Sequence, residues 1–327
     1  MKIDKLKKKI HGPVFSIITP FLKNGGVDYQ TLFKNLKYYY ASNVRIFYLM
    51  LYNSRLGLLS DNEIHQLNLR IANYLKKNFT DTIFIGAERF EGSSKETIKR
   101  INKLANCGID IFSVILGEKY YNDEQVLSHF RYLNKHTKLP LLLHLQMMMN
   151  GHGTKPPVID YNIGLTDKIC SLSNFVSIKD DAKRSNFTIQ LIKKTKNKVR
   201  IIRSGGGMSV WHKFSKLGCH SWLVGIELID PRLSFDFLEK LKQNDRKFLK
   251  ILKEKIETPF FEMASIYGWH MFIKSCLEIC GFMKRHERLP LTPLSAKHHS
   301  QINKFVKKLR RDSKKYLRKN YFKKIKL

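Results

Sequence analysis

Eight short apolar segments, each followed by a segment of helical character, constrain the fold of this 327-residue chain more than any other feature. Their continuous apolar character is typical of parallel strands buried on both faces and joined by right-handed helical crossovers. The segments are GPVFSIITPF (12–21), RIFYLMLYN (45–53), TIFIGA (82–87), IDIFSVIL (109–116), PLLLHL (140–145), FVSIK (175–179), VRIIR (199–203) and SWLVGI (221–226). Helices are predicted after them at about 29–41, from Ser60, and at 93–106, 123–136, 162–172, 186–194, 210–217 and 232–243.

The number of these units predicts the fold class. Eight strand–helix units are the signature of an α/β fold, the (β/α)₈ TIM barrel. A doubly wound open sheet is the alternative, but no GxGxxG sequence follows the first strand. Helical sequence from about residue 246 onward predicts appended C-terminal helices. We therefore divide the chain into a barrel core (1–230), the last barrel helix with a C-terminal helical region (231–303), and a basic tail (304–327).

The composition is that of a globular protein. Hydrophobic residues make up 43% of the chain, yet no apolar run reaches the roughly 18 residues that a membrane span needs. The basic N-terminus leads into no apolar segment of a signal peptide. The five cysteines form neither a CxxC pair nor the Cys/His spacing of a zinc site. We therefore expect reduced thiols, a cytoplasmic location, no membrane contact and no metal.

The formal net charge of +33 has two interpretations. Dense Lys and Arg can neutralise nucleic-acid phosphates. Alternatively, a genome rich in A and T enriches Lys together with Asn, Ile, Phe and Tyr. We favour the second interpretation because the charge is spread along the chain as well as in its tail. Nucleic acid is therefore not an expected partner. The tail is interpreted as a solvated terminal helix, with contact to RNA or an anionic surface as the alternative.

In a barrel of this kind the active site lies at the carboxyl ends of the strands. The polar residues and glycines at those positions are Tyr52, Asn53, Ser54, Glu88, Glu118, His144, Lys179, Ser204, Gly205, Gly206, Gly207 and Gly225. Lys179 closes an apolar strand, where partial desolvation lowers the pKa of an amine and makes it nucleophilic. Such an amine condenses with a ketone to an iminium. The alternative is an ion pair with Asp180 or Asp181.

The order of several motifs resembles the dihydrodipicolinate synthase / N-acetylneuraminate lyase family over nearly the whole barrel. The motifs are ITPF (18–21), GGVDY (25–29), LLSDNE (58–63), YYNDEQVLSHF (120–130), LPLLLH (139–144), VSIKDD (176–181), GWHMFIKSCLEICGF (268–282) and RLPLTPL (288–294). The resemblance implies that Lys179 forms a Schiff base with a 2-keto acid. The covalent imine on Lys179 then replaces any cofactor.

Two segments depart from the family pattern. Where the family carries GTTGE after the second strand, residues 51–55 read LYNSR, so Tyr52, Asn53 and Ser54 become the candidates for binding the substrate carboxylate. Arg55 or Arg203 can add charge. Where the family has a tyrosine that acts as general acid/base, this chain has His144, which can transfer protons near neutral pH. A hydrogen-bonded structural histidine is the alternative.

Two further groups complete the predicted site. Ser204, Gly205, Gly206 and Gly207 follow the seventh strand, and exposed backbone N–H groups there suit a carboxylate; a flexible turn is the alternative. Tyr120 and Tyr121 follow the fourth strand and are candidates for substrate or subunit contact, with aromatic packing as the alternative. The loop 146–157 lacks the family's arginine, and His152 within it is interpreted as a loop residue.

The predicted activity is that of a lyase or synthase that makes or breaks a carbon–carbon or carbon–oxygen bond. We favour a dihydrodipicolinate synthase-like condensation of pyruvate over cleavage or dehydration of a sugar-derived keto acid. A barrel that has lost catalysis and serves in binding is the alternative from another class. The resemblance also implies a homo-oligomer, a dimer or a tetramer.

Overall fold

The computed structural model describes residues 3–89, 92–119, 122–151, 155–156 and 158–325. Eleven strands lie within these residues: β1 (Gly12–Ser16), β2 (Ile46–Tyr48), β3 (Ile83–Ala87), β4 (Ile111–Val114), β5 (Glu118–Lys119), β6 (Leu141–Leu145), β7 (Met148–Asn150), β8 (Val158–Ile159), β9 (Phe175–Asp180), β10 (Arg200–Arg203) and β11 (Ser221–Leu223). Eight of them close into a barrel in the order β1–β11–β10–β9–β6–β4–β3–β2, and every neighbouring pair is parallel. The predicted TIM barrel is confirmed.

Helices surround the barrel and extend beyond it. In chain order the described helices are α1 (Ile3–Lys9), α2 (Tyr29–Ala41), α3 (Asp61–Asn78), α4 (Ser94–Leu104), α5 (Asp123–His136), α6 (Ile163–Cys170), α7 (Ser185–Thr195), α8 (Gly207–Ser215), α9 (Arg232–Lys242), α10 (Arg246–Ile251), α11 (Thr258–Tyr267), α12 (Trp269–Ile279) and α13 (Ala296–Tyr316). Helices α2 to α9 follow successive barrel strands, whereas α10 to α13 form the predicted C-terminal helical region.

Two apolar clusters hold the barrel together. The larger one fills the layer between strands and helices. The smaller one lies inside the barrel and joins inward-facing residues such as Val14 and Tyr48 to Leu6 and Ile10. Helix α1, which the sequence pattern did not predict, therefore covers the amino-terminal end of the barrel interior. Its burial removes apolar surface from water at the end of the barrel opposite the predicted site.

Local signals set the helix starts. Ser60 and Glu63 form the predicted capping box: each side chain accepts a hydrogen bond from the backbone N–H of the other residue. Helix α8 begins at Gly207, three residues earlier than predicted. Gly206 and Gly207 both have positive φ, which turns the chain directly from the end of β10 into the helix.

The C-terminal segment is packed against the rest of the protein. Helix α13 runs across the boundary drawn at residue 304 and is followed by the buried side chains of Leu317, Tyr321 and Phe322. The backbone N–H of Phe322 donates to Asp230 at 2.8 Å. The basic residues of this segment therefore alternate with apolar side chains that are buried against the rest of the protein.

A second, three-stranded sheet combines β5, β7 and β8, which lie in the loops after β4 and β6. Its short strands were not apparent from the sequence, because two- and three-residue strands carry no measurable periodicity. All five cysteines are free thiols. Within the described ranges, no helix combines the length and apolar character needed to cross a membrane.

Candidate active site

Lys179 and His144 meet at the carboxyl-terminal end of the barrel. They are register partners on the neighbouring strands β9 and β6, so their side chains leave the sheet on the same face. The Nζ atom of Lys179 lies 2.8 Å from Nε2 of His144. Lys179 is 1% exposed and His144 is 2% exposed. The strand pairing brings together the two residues that the sequence analysis singled out for catalysis.

Asp181 is the third member of this group. Its Oδ2 atom lies 2.7 Å from Nζ of Lys179 and 3.4 Å from Nε2 of His144. Asp180 points the other way: its carboxylate accepts from Thr188 Oγ1 at 2.5 Å and lies 3.7 Å from Nε of Arg203. Of the two ion pairs considered from the sequence, the structure contains the one with Asp181.

Burial and mutual charge shift the proton affinities of the three groups. Burial lowers the pKa of Lys179, although the carboxylate of Asp181 opposes this shift. Burial and the charge of Lys179 lower the pKa of His144 to about 4. Burial alone would raise the pKa of Asp181, but Lys179 and His144 outweigh it and hold that pKa below its usual range. At neutral pH His144 is therefore a neutral acceptor beside a buried amine.

Tyr48 is a polar residue of the barrel interior that sequence reasoning missed. It ends β2, is fully buried, and its hydroxyl lies 2.6 Å from Oγ of Ser113 on β4. Burial, with the charge of Asp181 adding to it, raises the pKa of this phenol. The predicted strand ran on to Asn53, whereas β2 ends at Tyr48, so no sequence signal marked Tyr48 as the end of a strand. The phenol keeps its proton at neutral pH and lies within electrostatic range of the Lys179 group.

The turn after β2 uses its polar side chains internally. Ser54 Oγ donates to the carbonyl of Ile17 at 2.5 Å and accepts from the N–H of Met50 at 2.9 Å. The amide of Asn53 donates to Ser16 Oγ at 2.9 Å and accepts from the indole of Trp269 at 3.0 Å. The two side chains therefore fix the turn.

Tyr52 is the exposed residue of this turn, and two backbone N–H groups of the turn are unengaged within the described part of the chain. Tyr52 is 44% exposed, and its hydroxyl accepts a hydrogen bond from Nε2 of Gln146 at 2.7 Å. Among the described residues, the backbone N–H groups of Tyr52 and Asn53 donate to no acceptor. Donors of this kind can hold a carboxylate.

The two arginines near the predicted site have partners within the protein. Arg55 is buried and forms a two-pronged ion pair with Glu287, with Nη2 2.8 Å from Oε1 and Nε 3.3 Å from Oε2. Lys274 adds a second cation, since its Nζ lies 3.4 Å from Oε2 of Glu287. Arg203 donates to the backbone carbonyls of Asp180 and Ser204. These contacts commit the guanidinium group of Arg55 to internal hydrogen bonds, whereas Arg203 donates through Nη1 and its buried Nε has no hydrogen-bond partner among the described residues.

The glycine-rich turn at Ser204–Gly207 is covered by a carboxyl group from elsewhere in the chain. Glu257, in the π-helical segment Leu252–Glu257, accepts hydrogen bonds from the backbone N–H groups of Met208 at 2.7 Å and Ser209 at 3.1 Å. Burial and the charge of Glu227 raise the pKa of Glu257 to about 8. The N–H groups at the start of α8 thus have an internal acceptor, and no local sequence pattern pairs Glu257 with this turn.

Three other strand ends carry polar or glycine residues. Burial raises the pKa of Glu88 to about 7. Glu118 lies in β5, outside the barrel sheet. The backbone N–H of Gly225 donates to Oε2 of Glu227 at 2.7 Å. None of these residues is among the hydrogen-bond or ion-pair partners found for Lys179 in the described part of the chain.

Tyr120, Tyr121 and His152 lie outside the described residues. Across the part of the chain that the structure describes, no three or more His, Cys, Asp or Glu side chains are grouped as metal ligands.

Comparisons with known proteins agree with this architecture. The sequence model of the dihydrodipicolinate synthetase family matches residues 9–309. The 4-hydroxy-tetrahydrodipicolinate synthase of Psychrobacter arcticus is 22% identical over 306 residues, which cover 92% of this chain and 95% of that protein. Dihydrodipicolinate synthase of Oceanobacillus iheyensis superposes with a TM-score of 0.79 at 16% identity, over 94% of this chain and 98% of that one. The chloride-inhibited dihydrodipicolinate synthase of Acinetobacter baumannii, complexed with pyruvate, superposes with a TM-score of 0.77 at 20% identity. The match covers 92% of this chain and 99% of that one.

Proposed function

Because the chain belongs to the dihydrodipicolinate synthetase family, we propose that it is a lyase or synthase that forms a Schiff base between Lys179 and pyruvate or a related 2-keto acid. One observation carries the proposal: a buried lysine amine at the carboxyl end of β9 lies 2.8 Å from a neutral histidine. A buried amine with a lowered pKa beside a proton acceptor is the arrangement that activates a lysine nucleophile.

The first step is the activation of the amine. The ammonium of Lys179 already donates toward Nε2 of His144, so a proton passes along an existing hydrogen bond. The neutral amine attacks the keto carbon and forms a carbon–nitrogen bond. The imidazolium of His144 returns its proton to the carbonyl oxygen, and the attacking nitrogen loses a proton to the same imidazole.

Loss of water completes the imine. The imidazolium of His144 protonates the hydroxyl group of the carbinolamine, the carbon–oxygen bond breaks, and water leaves. The sum of these steps converts an ammonium and a ketone into an iminium and one water molecule. The iminium withdraws electrons from the neighbouring carbon, which then loses a proton to the neutral imidazole of His144 and gives an enamine. The enamine adds to an aldehyde, or forms in the reverse direction by cleavage or dehydration.

The substrate carboxylate is proposed to dock on the turn after β2. Support comes from the unengaged backbone N–H groups of Tyr52 and Asn53, since the side chains of Asn53 and Ser54 serve the turn itself. The side chains of Asn53 and Ser54, which were predicted to bind the carboxylate, are thus proposed to hold the turn in place instead. The turn at Ser204–Gly207 contributes less, because Glu257 already accepts from the neighbouring N–H groups.

Among substrates, pyruvate condensation of the dihydrodipicolinate synthase type is the first choice. The curated relatives carry the name 4-hydroxy-tetrahydrodipicolinate synthase, and a structure of similar fold was solved with pyruvate. Cleavage or dehydration of a sugar-derived keto acid is the second choice, because the turn after β2 reads LYNSR rather than the family pattern.

Borohydride trapping tests the proposal. The protein is incubated with pyruvate, reduced with sodium borohydride, and analysed by intact mass and peptide mapping, with Lys179→Arg as the matched variant. An adduct on Lys179 that is absent from the variant is the expected result. If an adduct forms only with a larger sugar-derived keto acid, the Schiff-base mechanism stands and pyruvate is not the substrate. No adduct with either class, in folded protein, would favour the non-catalytic barrel.

We also propose that the chain forms a homo-oligomer, a dimer or a tetramer. Support comes from exposed apolar side chains around the small sheet: Met147 is 58% exposed, Met149 55% and Val158 39%. Light scattering on the purified chain measures the assembled mass directly. A monomer at micromolar concentration would contradict the proposal.

A further inference from the structure

A closed triangle of contacts joins Lys179, His144 and Asp181. The three edges are 2.8 Å between Lys179 and His144, 2.7 Å between Lys179 and Asp181, and 3.4 Å between His144 and Asp181. We propose that Asp181 is a positioning residue: its carboxylate is the fixed counter-ion that holds Lys179 against His144 and balances the positive charge as it moves through the reaction. This inference rests on the proposed Schiff-base function.

The backbone explains why Asp181 and not Asp180 has this position. Successive residues of a strand point to opposite faces, so residues two apart share a face. Lys179 faces the barrel interior. Asp180 faces the helix layer, where Thr188 and Arg203 engage it. Asp181 follows the last residue of β9 and returns to the face of Lys179.

The geometry suits charge that migrates over a short path. Before reaction the positive charge is on the Lys179 ammonium, 2.7 Å from the carboxylate of Asp181. After proton transfer it is on the imidazolium of His144, whose Nε2 lies 3.4 Å from the same oxygen atom. After loss of water it returns to the nitrogen of Lys179 as an iminium. The group keeps a net charge of zero throughout, which avoids an uncompensated ion in a buried site.

Other charged groups do not duplicate this role. The charge of Lys183 lowers the pKa of Lys179, whereas that of Asp180 raises it from the opposite face of the strand. On β2, burial and the charge of Asp181 raise the pKa of the Tyr48 phenol, which therefore stays neutral. Its hydroxyl is hydrogen-bonded to Ser113 on β4. Among the described residues, Asp181 is the acid that contacts the Lys179 amine directly.

Asp181→Asn tests the inference through a property that a structural role alone would not move. Removing a carboxylate at this distance lowers the pKa of an amine by about 1 to 3 units. The midpoint of the pH dependence of borohydride trapping is therefore expected to fall by at least about one pH unit. A profile that coincides with wild type would overturn the inference.

Two control variants test whether the effect comes from the charge at residue 181 rather than from a changed side chain or the loss of any nearby carboxylate. Asp181→Glu retains the charge and is expected to restore most of the wild-type pH profile. Asp160→Asn removes a carboxylate that pairs with Arg184 near the same end of the barrel and is expected to leave the profile unchanged. Circular dichroism shows whether each variant is folded.

A titration without substrate separates this inference from the proposed function. In isotopically labelled protein, the Lys179 side-chain resonance is assigned by its loss in Lys179→Arg and followed by NMR against pH. An unchanged Lys179 midpoint in Asp181→Asn overturns the counter-ion role even if the enzyme forms imines. A lowered midpoint in protein that traps no keto acid supports the electrostatic role and refutes the Schiff-base function.

Discussion

Nε2 of His144 lies 2.8 Å from Nζ of Lys179 because the two residues pair across β6 and β9. This contact depends on backbone register rather than on flexible loops. A one-residue slip between the strands would turn one of the side chains toward the helices. The barrel sheet therefore sets the distance over which the proposed proton transfer takes place.

His144→Gln should slow imine formation by about 10²- to 10⁴-fold, the usual contribution of a positioned general acid/base. Glutamine keeps a polar contact but cannot take up a proton near neutral pH. The measurement is rapid-quench borohydride trapping with pyruvate against time. Slow but complete trapping on Lys179 is the expected pattern, and a wild-type rate would remove His144 from the mechanism.

Glu287→Gln should destabilise the fold by about 3–5 kcal/mol, because Arg55 and Lys274 would be left as uncompensated buried cations. The matched control is Asp81→Asn, which breaks the exposed ion pair with Arg45 and should cost less than about 1 kcal/mol. Urea unfolding of both variants measures the difference. Equal free energies of unfolding for the two variants would contradict the conclusion that Glu287 compensates the buried charges of Arg55 and Lys274.

Gly207→Ala should lower the free energy of unfolding by more than about 2 kcal/mol. Its φ of +65° disfavours any Cβ, and the added atom would clash with Glu257 and approach Phe261 at 3.0 Å. Gly57→Ala is the control, since a Cβ there meets nothing within 4 Å. Guanidinium unfolding of the two variants checks the prediction, and a neutral effect at Gly207 would mean that Glu257 does not cover this turn.

Acid should weaken the protein partly through His129. Burial lowers the pKa of His129 to about 4, so the unfolded chain binds a proton between pH 6.5 and 4 that the folded chain does not. Stability from this group is complete above pH 6.5 and falls as the pH falls. His129→Gln should therefore reduce the loss at pH 4.5 by roughly 2–3 kcal/mol. Denaturation curves at several pH values measure it, with the exposed His136→Gln expected to follow wild type.

The barrel itself was predictable because its signal is local and repeated. Each apolar run, such as FVSIK ending at Lys179, reports burial on both faces of one strand, and eight of them suffice to define the architecture. The same logic placed Lys179 and His144 at strand ends on one edge. Their catalytic roles stay predictions, although the strand register accounts for their contact.

The partners of the site were harder to predict because they come from distant parts of the chain. Glu287 meets Arg55 across 232 positions, and Glu257 reaches Met208 across 49. No periodicity connects such residues. The choice of Asp181 over Asp180 is different: strand alternation favours the residue two positions after Lys179, so the signal was present in the sequence.

Glu257 makes the start of α8 a binding site with a tethered occupant. A tethered group competes at an effective concentration in the millimolar range or above, without the translational cost of a free molecule. A free anion would have to displace it and also leave its buried carboxyl group without hydrogen bonds. Anionic ligands that bind at this end of the barrel should therefore gain more affinity from contacts near Lys179 than from the glycine-rich turn.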